Sequence, residues 1–118
     1  MKLRLSEIIK AADAVLLKGG YDETEYGIST DTRTIKTHEI YLPLKGENFD
    51  GENFIENALS SGIKGYFTTD RNKVFDKAEF VLLVEDTKEA YLKIAHYYKT
   101  KINPYTIAVT GSSGKTTV

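Results

Sequence analysis

The stretch that decides the fold class runs from Ile40 to Thr69. Ile40-Tyr41-Leu42-Pro43-Leu44 has the short apolar character of a strand, and Pro43 points to a sheet edge or a bulge. Lys45-Gly46-Glu47-Asn48-Phe49-Asp50-Gly51 follows as a loop with two glycines beside Asn and Asp, residues suited to capping or to binding hydroxyls. Asp50 is placed to cap a helix over Glu52–Ser61, which Gly62 ends at the C′ position. Phe54, Ile55, Ala58 and Leu59 form the apolar stripe of that helix. Gly65-Tyr66-Phe67-Thr68-Thr69 then reads as another strand. Strand, loop, helix and strand in succession predict a β-α-β unit, hence an α/β fold, right-handed if its strands are parallel.

The chain before this unit is helical and then polar. Leu5, Ile8, Ile9, Ala12 and Leu16 recur at helical spacing, predicting a helix from Glu7 to about Ala14 with Ser6 as its cap. Tyr26 to Ile35 is predicted to be extended. Ile28, Thr30 and Thr32 then share one face, with Ser29, Asp31 and Arg33 on the other. So many hydrogen-bonding side chains make poor core. Two readings stand: a surface that grips sugar or phosphate oxygens, or a solvated edge strand with a local Asp–Arg pair.

After the unit, Phe80-Val81-Leu82-Leu83-Val84 reads as a strand buried on both faces. Asp86 opens a helix running to about Thr100, with Ala90, Ile94, Ala95, Tyr97 and Tyr98 on its buried side. Asn103-Pro104 breaks the chain and marks a domain boundary. Beyond it, Tyr105-Thr106-Ile107-Ala108-Val109 is a strand leading into Thr110-Gly111-Ser112-Ser113-Gly114-Lys115-Thr116-Thr117.

An apolar strand running into a Gly-rich turn that ends in Gly-Lys-Thr is the layout of a phosphate-binding loop. The glycines let backbone N–H groups approach phosphate oxygens, Lys115 brings a cation to the β/γ-phosphates, and the Thr116 hydroxyl can ligate Mg²⁺. A helix beginning near Lys115 would aim its N-terminal dipole at the anion. Val109 stands where the common pattern has its first glycine, so the loop is a short form. The alternative is a Gly/Ser tail that contains a lysine. On this reading residues 1–102 form one α/β domain and 103–118 begin a second, cut off after the loop.

Bulk properties bound the function. The chain has 118 residues, 41% hydrophobic and 28% charged, with a net charge of −1. Such a balance lacks the basic excess of a nucleic-acid surface. No apolar run approaches a membrane span, and Met1-Lys2-Leu3-Arg4-Leu5 lacks the apolar core of a secretory signal. There is no cysteine, which removes thiolate chemistry and Cys-based zinc sites and fits a reducing compartment. His38 and His96 lack metal-ligand spacing and read as surface or hydrogen-bonded histidines rather than ligands.

Taken together, these pieces resemble the start of a Mur ligase. The resemblance rests on Ser29-Thr30-Asp31-Thr32-Arg33, Tyr41 to Gly46, Phe49-Asp50-Gly51-Glu52-Asn53-Phe54, Val84 to Ala90 and the short loop Thr110–Thr117. The family shows a D-S/T-R triplet, a strand ending in K-G, D-G-x-x-F opening a helix, and this same short loop. Two positions depart from its pattern: Thr32 where Ser is usual, and Asn53 where His is frequent. Ser112-Ser113 and the Ile-Ser-Thr-Asp-Thr-Arg opening are most similar to the branch that adds D-alanyl-D-alanine, the alternative being the branch that adds the third, diamino, residue.

The resemblance implies a small mixed sheet flanked by helices that binds the UDP part of UDP-N-acetylmuramoyl-peptide, followed by the beginning of a central ATP-binding domain in a cytoplasmic enzyme. Thr30, Asp31, Thr32, Arg33, Lys45, Gly46, Asn48, Phe49 and Asp50 would contact the UDP moiety. Thr110, Gly111, Ser112, Ser113, Gly114, Lys115 and Thr116 would hold ATP, with Thr116 on Mg²⁺ and Lys115 the one residue here near the chemistry. A folate-adding relative would lack the D-T-R, K-G and D-G-x-x-F set, whereas an unrelated nucleotide-binding module is the non-catalytic alternative.

Overall fold

The computed structural model describes residues 2–20 and 23–102. The strand over 105–109, the phosphate loop and the boundary at Asn103-Pro104 lie outside the described residues. The elements are β1 (Leu3–Arg4), α1 (Leu5–Ala12), β2 (Val15–Lys18), β3 (Glu25–Ser29), β4 (Glu39–Tyr41), a 3-10 turn (Gly51–Phe54), α2 (Ile55–Ser60), β5 (Gly65–Thr68), β6 (Phe80–Leu83) and α3 (Thr87–Ile102).

The strands form one mixed sheet in the order β1-β3-β4-β5-β6-β2. Its centre, β3 to β6, is parallel, and β1 and β2 close the two edges antiparallel. The mixed α/β architecture matches the expectation, and β4-α2-β5 is the parallel β-α-β unit read from Ile40–Thr69.

Strand alternation divides the core between the two faces. Ile40, Leu42, Phe67, Phe80 and Leu82 point to one side, where α1 and α3 bring Leu5, Ile8, Ala90 and Ile94. Tyr41, Tyr66 and Val81 point to the other, against Ile55, Ala58 and Leu59 of α2. Each of the larger aliphatic side chains buried this way contributes up to about 1.5–3 kcal/mol. The 80–84 run is therefore covered on both faces, as its unbroken apolar character predicts.

Several elements differ from expectation. Leu16 does not continue α1. Asp13 takes a left-handed conformation (φ 56°) that stops the helix, and Val15–Lys18 turns back as an edge strand along β6. The register of β2 slips between Leu16 and Lys18. Ser6 is not the cap of α1. The helix starts at Leu5, and the Glu7 carboxylate reaches back to the Arg4 N–H at 3.1 Å. Pro43 marks neither an edge nor a bulge. It sits just past the end of β4, a central strand, where no ladder donor is needed. The extended segment over 26–35 stops at Ser29 and gives way to a turn.

Candidate nucleotide-sugar site

The parallel strands β3, β4, β5 and β6 all end toward one rim of the sheet, and in parallel α/β sheets ligands bind outside the carboxyl ends of the strands. Here the rim is made by Thr30–Arg33 after β3, Pro43–Asp50 after β4, Thr69 after β5 and Glu85–Lys88 after β6. Two adjoining hollows open on it. A groove of about 510 Å³ is lined by Thr30, Asp31, Thr32, Arg33, Tyr41, Phe49 and Phe54. A cleft of about 390 Å³ includes Pro43, Lys45, Asp50, Glu52, Thr69 and Thr87.

In the groove, Asp31 organises the turn after β3. Its carboxylate accepts from the Arg33 N–H at 2.8 Å, from Arg33 Nε at 3.1 Å and from Nη2 at 3.0 Å. This clamp lowers the Asp31 pKa from its ordinary value and raises that of Arg33, so both stay charged. The turn is held from below by Ser29, whose hydroxyl accepts from the Asp31 N–H at 3.2 Å. The local Asp–Arg pair read from the sequence exists, and it forms one wall of a groove rather than a strand face.

The opposite wall is aromatic. Phe49 and Phe54 stack with centroids 5.5 Å apart and planes 20° from parallel, and they are 50% and 37% exposed. Phe54 is therefore not core, as its helical spacing suggested. The first turn of that segment is 3-10, so α2 starts at Ile55 with a new phase and Phe54 faces the groove. Beneath them the Tyr41 hydroxyl donates to the Gly51 carbonyl at 2.8 Å. Burial, with Asp31, Asp50 and Glu52 nearby, pushes the Tyr41 pKa up to about 12.

The link between the walls is fixed by Gly51. A Cβ there would meet the Leu44 carbonyl oxygen at 2.7 Å and the Leu44 nitrogen at 2.8 Å. Gly51 N–H donates to that carbonyl at 2.8 Å, and Gly46 N–H to the Phe49 carbonyl at 2.7 Å. Asp50 caps the turn as expected, its Oδ1 accepting from the Glu52 N–H at 3.0 Å.

Of the residues expected to contact UDP, the structure brings Thr30, Asp31, Thr32, Arg33 and Phe49 into the groove. Lys45 and Asp50 face the cleft. Gly46 and Asn48 lie in the connecting loop and are exposed. Thr110–Thr116 lie outside the described residues. Sequence reasoning missed Tyr41, Phe54, Glu52 and Thr69 as wall residues. Glu52 accepts from the Thr68 and Thr69 hydroxyls and from the Thr69 N–H at 3.1 Å, with Lys73 at 3.7 Å, which ties the 3-10 turn to the end of β5. The spacing of Phe49 and Phe54 about a D-G pair is the signal that could have revealed the aromatic wall. His38 and His96 are exposed, as read.

The model of the Mur ligase family, catalytic domain, matches residues 25–99, from β3 through most of α3. The chain belongs to the Mur ligase family. Among the relatives of this Mur ligase chain, the UDP-N-acetylmuramoyl-tripeptide–D-alanyl-D-alanine ligase of Bacillus subtilis is 34% identical over 118 residues, 99% of this chain and 26% of that protein. The UDP-N-acetylmuramoyl-L-alanyl-D-glutamate–2,6-diaminopimelate ligase of Rickettsia typhi is 39% identical over 93 residues, 78% of this chain and 18% of that protein. The fold is that of the UDP-N-acetylmuramoylalanyl-D-glutamyl-2,6-diaminopimelate–D-alanyl-D-alanyl ligase of Acinetobacter baumannii, with a TM-score of 0.75 and 24% identity over 86% of this chain and 22% of that one. The Mur ligase chain thus spans about a quarter or less of the length of these relatives. No helix among its described residues is long and apolar enough to cross a membrane.

Proposed function

We propose that residues 1–102 are the UDP-binding domain of an ATP-dependent amide ligase that joins D-alanyl-D-alanine to UDP-N-acetylmuramoyl-tripeptide in the cytoplasm. The observation that carries this reading is the meeting of Thr30–Arg33 with Phe49 and Phe54 in one groove at the carboxyl ends of the parallel strands. A flat aromatic wall offers a stacking face for a base, and hydroxyls with a guanidinium offer donors to ribose and phosphate oxygens.

Residues 103–118 would begin the ATP-binding domain, a reading that rests on the sequence pattern. Lys115 would hold the β/γ-phosphates, and Thr116 would hold Mg²⁺, which neutralises charge on the phosphates. In the proposed reaction the γ-phosphoryl group passes from ATP to the terminal carboxylate of the peptide, giving ADP and an acyl phosphate. The dipeptide amine attacks the carbonyl carbon, phosphate leaves, the amide forms and the amine sheds a proton. The chain's share is positioning and charge neutralisation.

The relative from Rickettsia typhi supports a second reading, the ligase that adds a diamino acid as the third residue. Both readings share the UDP site. Titrating the 118-residue chain with UDP, followed by NMR, tests it: amide shifts centred on Thr30–Arg33 and Asn48–Asp50 are expected, and none at millimolar UDP would overturn the assignment.

A further inference from the structure

The 3-10 turn Gly51–Phe54 carries part of the aromatic wall, yet its own hydrogen bonds are few. Asn53 N–H donates to the Asp50 carbonyl at 3.1 Å, and Ile55 N–H donates to the Glu52 carbonyl. Bonds of this spacing are less well aligned than those of an α-helix. Gly51 pins the entry of the turn through Leu44 and Tyr41. Phe54 lies three residues further on. Among the described residues its ring stacks on Phe49 alone, and Phe49 is itself half exposed.

Between Gly51 and Phe54 stands Glu52. Among the described residues it is the one member of the turn whose side chain hydrogen-bonds the end of β5. Its carboxylate accepts from the Thr68 hydroxyl, the Thr69 hydroxyl and the Thr69 N–H at 3.1 Å, with the Lys73 ammonium at 3.7 Å. The far side of this clamp is stiff. Thr68 is fully buried and also accepts from the Asp70 N–H at 3.0 Å. Lys73 is fixed by its N–H on the Asp70 carbonyl at 3.0 Å, and the buried Tyr66 donates its hydroxyl to the Lys73 carbonyl.

The charge of Glu52 matters as much as its reach. The two threonine hydroxyls can turn to donate or accept, but the Thr69 N–H and Lys73 only donate. A carboxylate offers acceptors to all four. An amide in its place turns an NH₂ group toward donors.

We infer that Glu52 is a positioning residue for the groove: by clamping the turn to the end of β5 it fixes the Phe54 ring as a stacking wall. Glu52 lines the adjoining cleft and not the groove, so its effect on a groove ligand passes through Phe54. The consequence for binding rests on the nucleotide reading proposed above, whereas the consequence for the ring rests on the turn alone.

The test is a double-mutant cycle on the 118-residue chain, with UDP as the probe and calorimetry as the readout. Glu52→Gln should weaken UDP about three- to tenfold, and Phe54→Ala about tenfold. In the Phe54→Ala background, Glu52→Gln should add less than about twofold. Thr69→Val removes one donor to Glu52 at an exposed position outside the groove, and serves should Glu52→Gln fail to fold. It should weaken UDP about two- to threefold, and Thr69→Ser should restore the affinity. NMR of the free variants gives a readout that needs no ligand. NOEs between the Phe49 and Phe54 rings should be lost in Glu52→Gln, while the amides of β3 keep their shifts.

Equal weakening by Glu52→Gln with and without Phe54, an unchanged UDP affinity, or surviving ring NOEs would overturn the positioning role and leave the nucleotide groove standing. No UDP binding by the wild type would overturn the nucleotide reading, and the ring NOEs would then decide the positioning role by themselves.

Discussion

The Tyr97 hydroxyl donates to the Glu7 carboxylate at 2.6 Å, joining the first turn of α1 to the last third of α3. Lys101 adds contacts at 2.9 and 3.0 Å, and Arg4 closes the cluster with its N–H and Nε. Lys101 and Tyr97, then Arg4, hold the Glu7 pKa at about 2 against the opposing effect of burial. The folded value lies below the ordinary 4.5, so the stabilisation is complete above about pH 4.5 and is lost as pH falls toward 2. Glu7→Gln is expected to cost about 1–2 kcal/mol at neutral pH. Thermal melts should show the gap between variant and wild type narrowing below pH 4.5 and closing near pH 2, and a constant gap would contradict this origin.

Phe49 is half exposed, so its ring is available to a ligand and adds little to the core. Phe49→Ala should weaken UDP about tenfold, within the usual worth of a base–aromatic stack. The melting curve should move by less than about 0.5 kcal/mol. Calorimetry and a thermal melt on the same sample separate the two effects. Unchanged UDP affinity would remove the aromatic wall from the site.

Gly51→Ala should destabilise by about 1–3 kcal/mol, since the new methyl group would collide with the backbone of Leu44 and with Pro43. A urea melt reads the loss. The same variant should weaken UDP, because Phe49 and Phe54 flank the displaced residue. A variant as stable as the wild type would mean that the loop has room that the Leu44 contacts deny.

The 118-residue chain alone should show neither ATP hydrolysis nor amide ligation. It spans 26% of the Bacillus relative, so about three quarters of the length of that ligase has no counterpart in it. A coupled phosphate-release assay is sufficient. Turnover that disappears in Lys115→Ala would disprove the expectation and locate the activity in the loop.

Much of the fold was legible because the central strands carry strong patterns. The continuous Phe80–Val84 run and the Asp86 start of α3 need no distant information, and Asp86 does cap through the Glu89 N–H. β2 was hidden because Leu16 fits the helical spacing of α1, while the left-handed turn at Asp13 that ends the helix leaves no periodic trace. Phe54 was misplaced for a related reason. A turn of 3-10 geometry shifts the phase of the helix after it, and periodicity alone cannot distinguish the two.

The site was legible as residue types and not as a shape. Thr30–Arg33 stood out as unsuited to a core and Phe49 through the family resemblance, yet only β3–β4 pairing brings them together.

Both outer strands of the sheet are poor templates. β1 offers two residues, one of them the charged Arg4, and β2 offers four interrupted by a register slip. An incoming strand would find no flat run of donors and acceptors on either flank. The domain is thereby protected from edge-to-edge polymerisation, and its parallel centre can expose a concave, polar rim to solutes without inviting other chains.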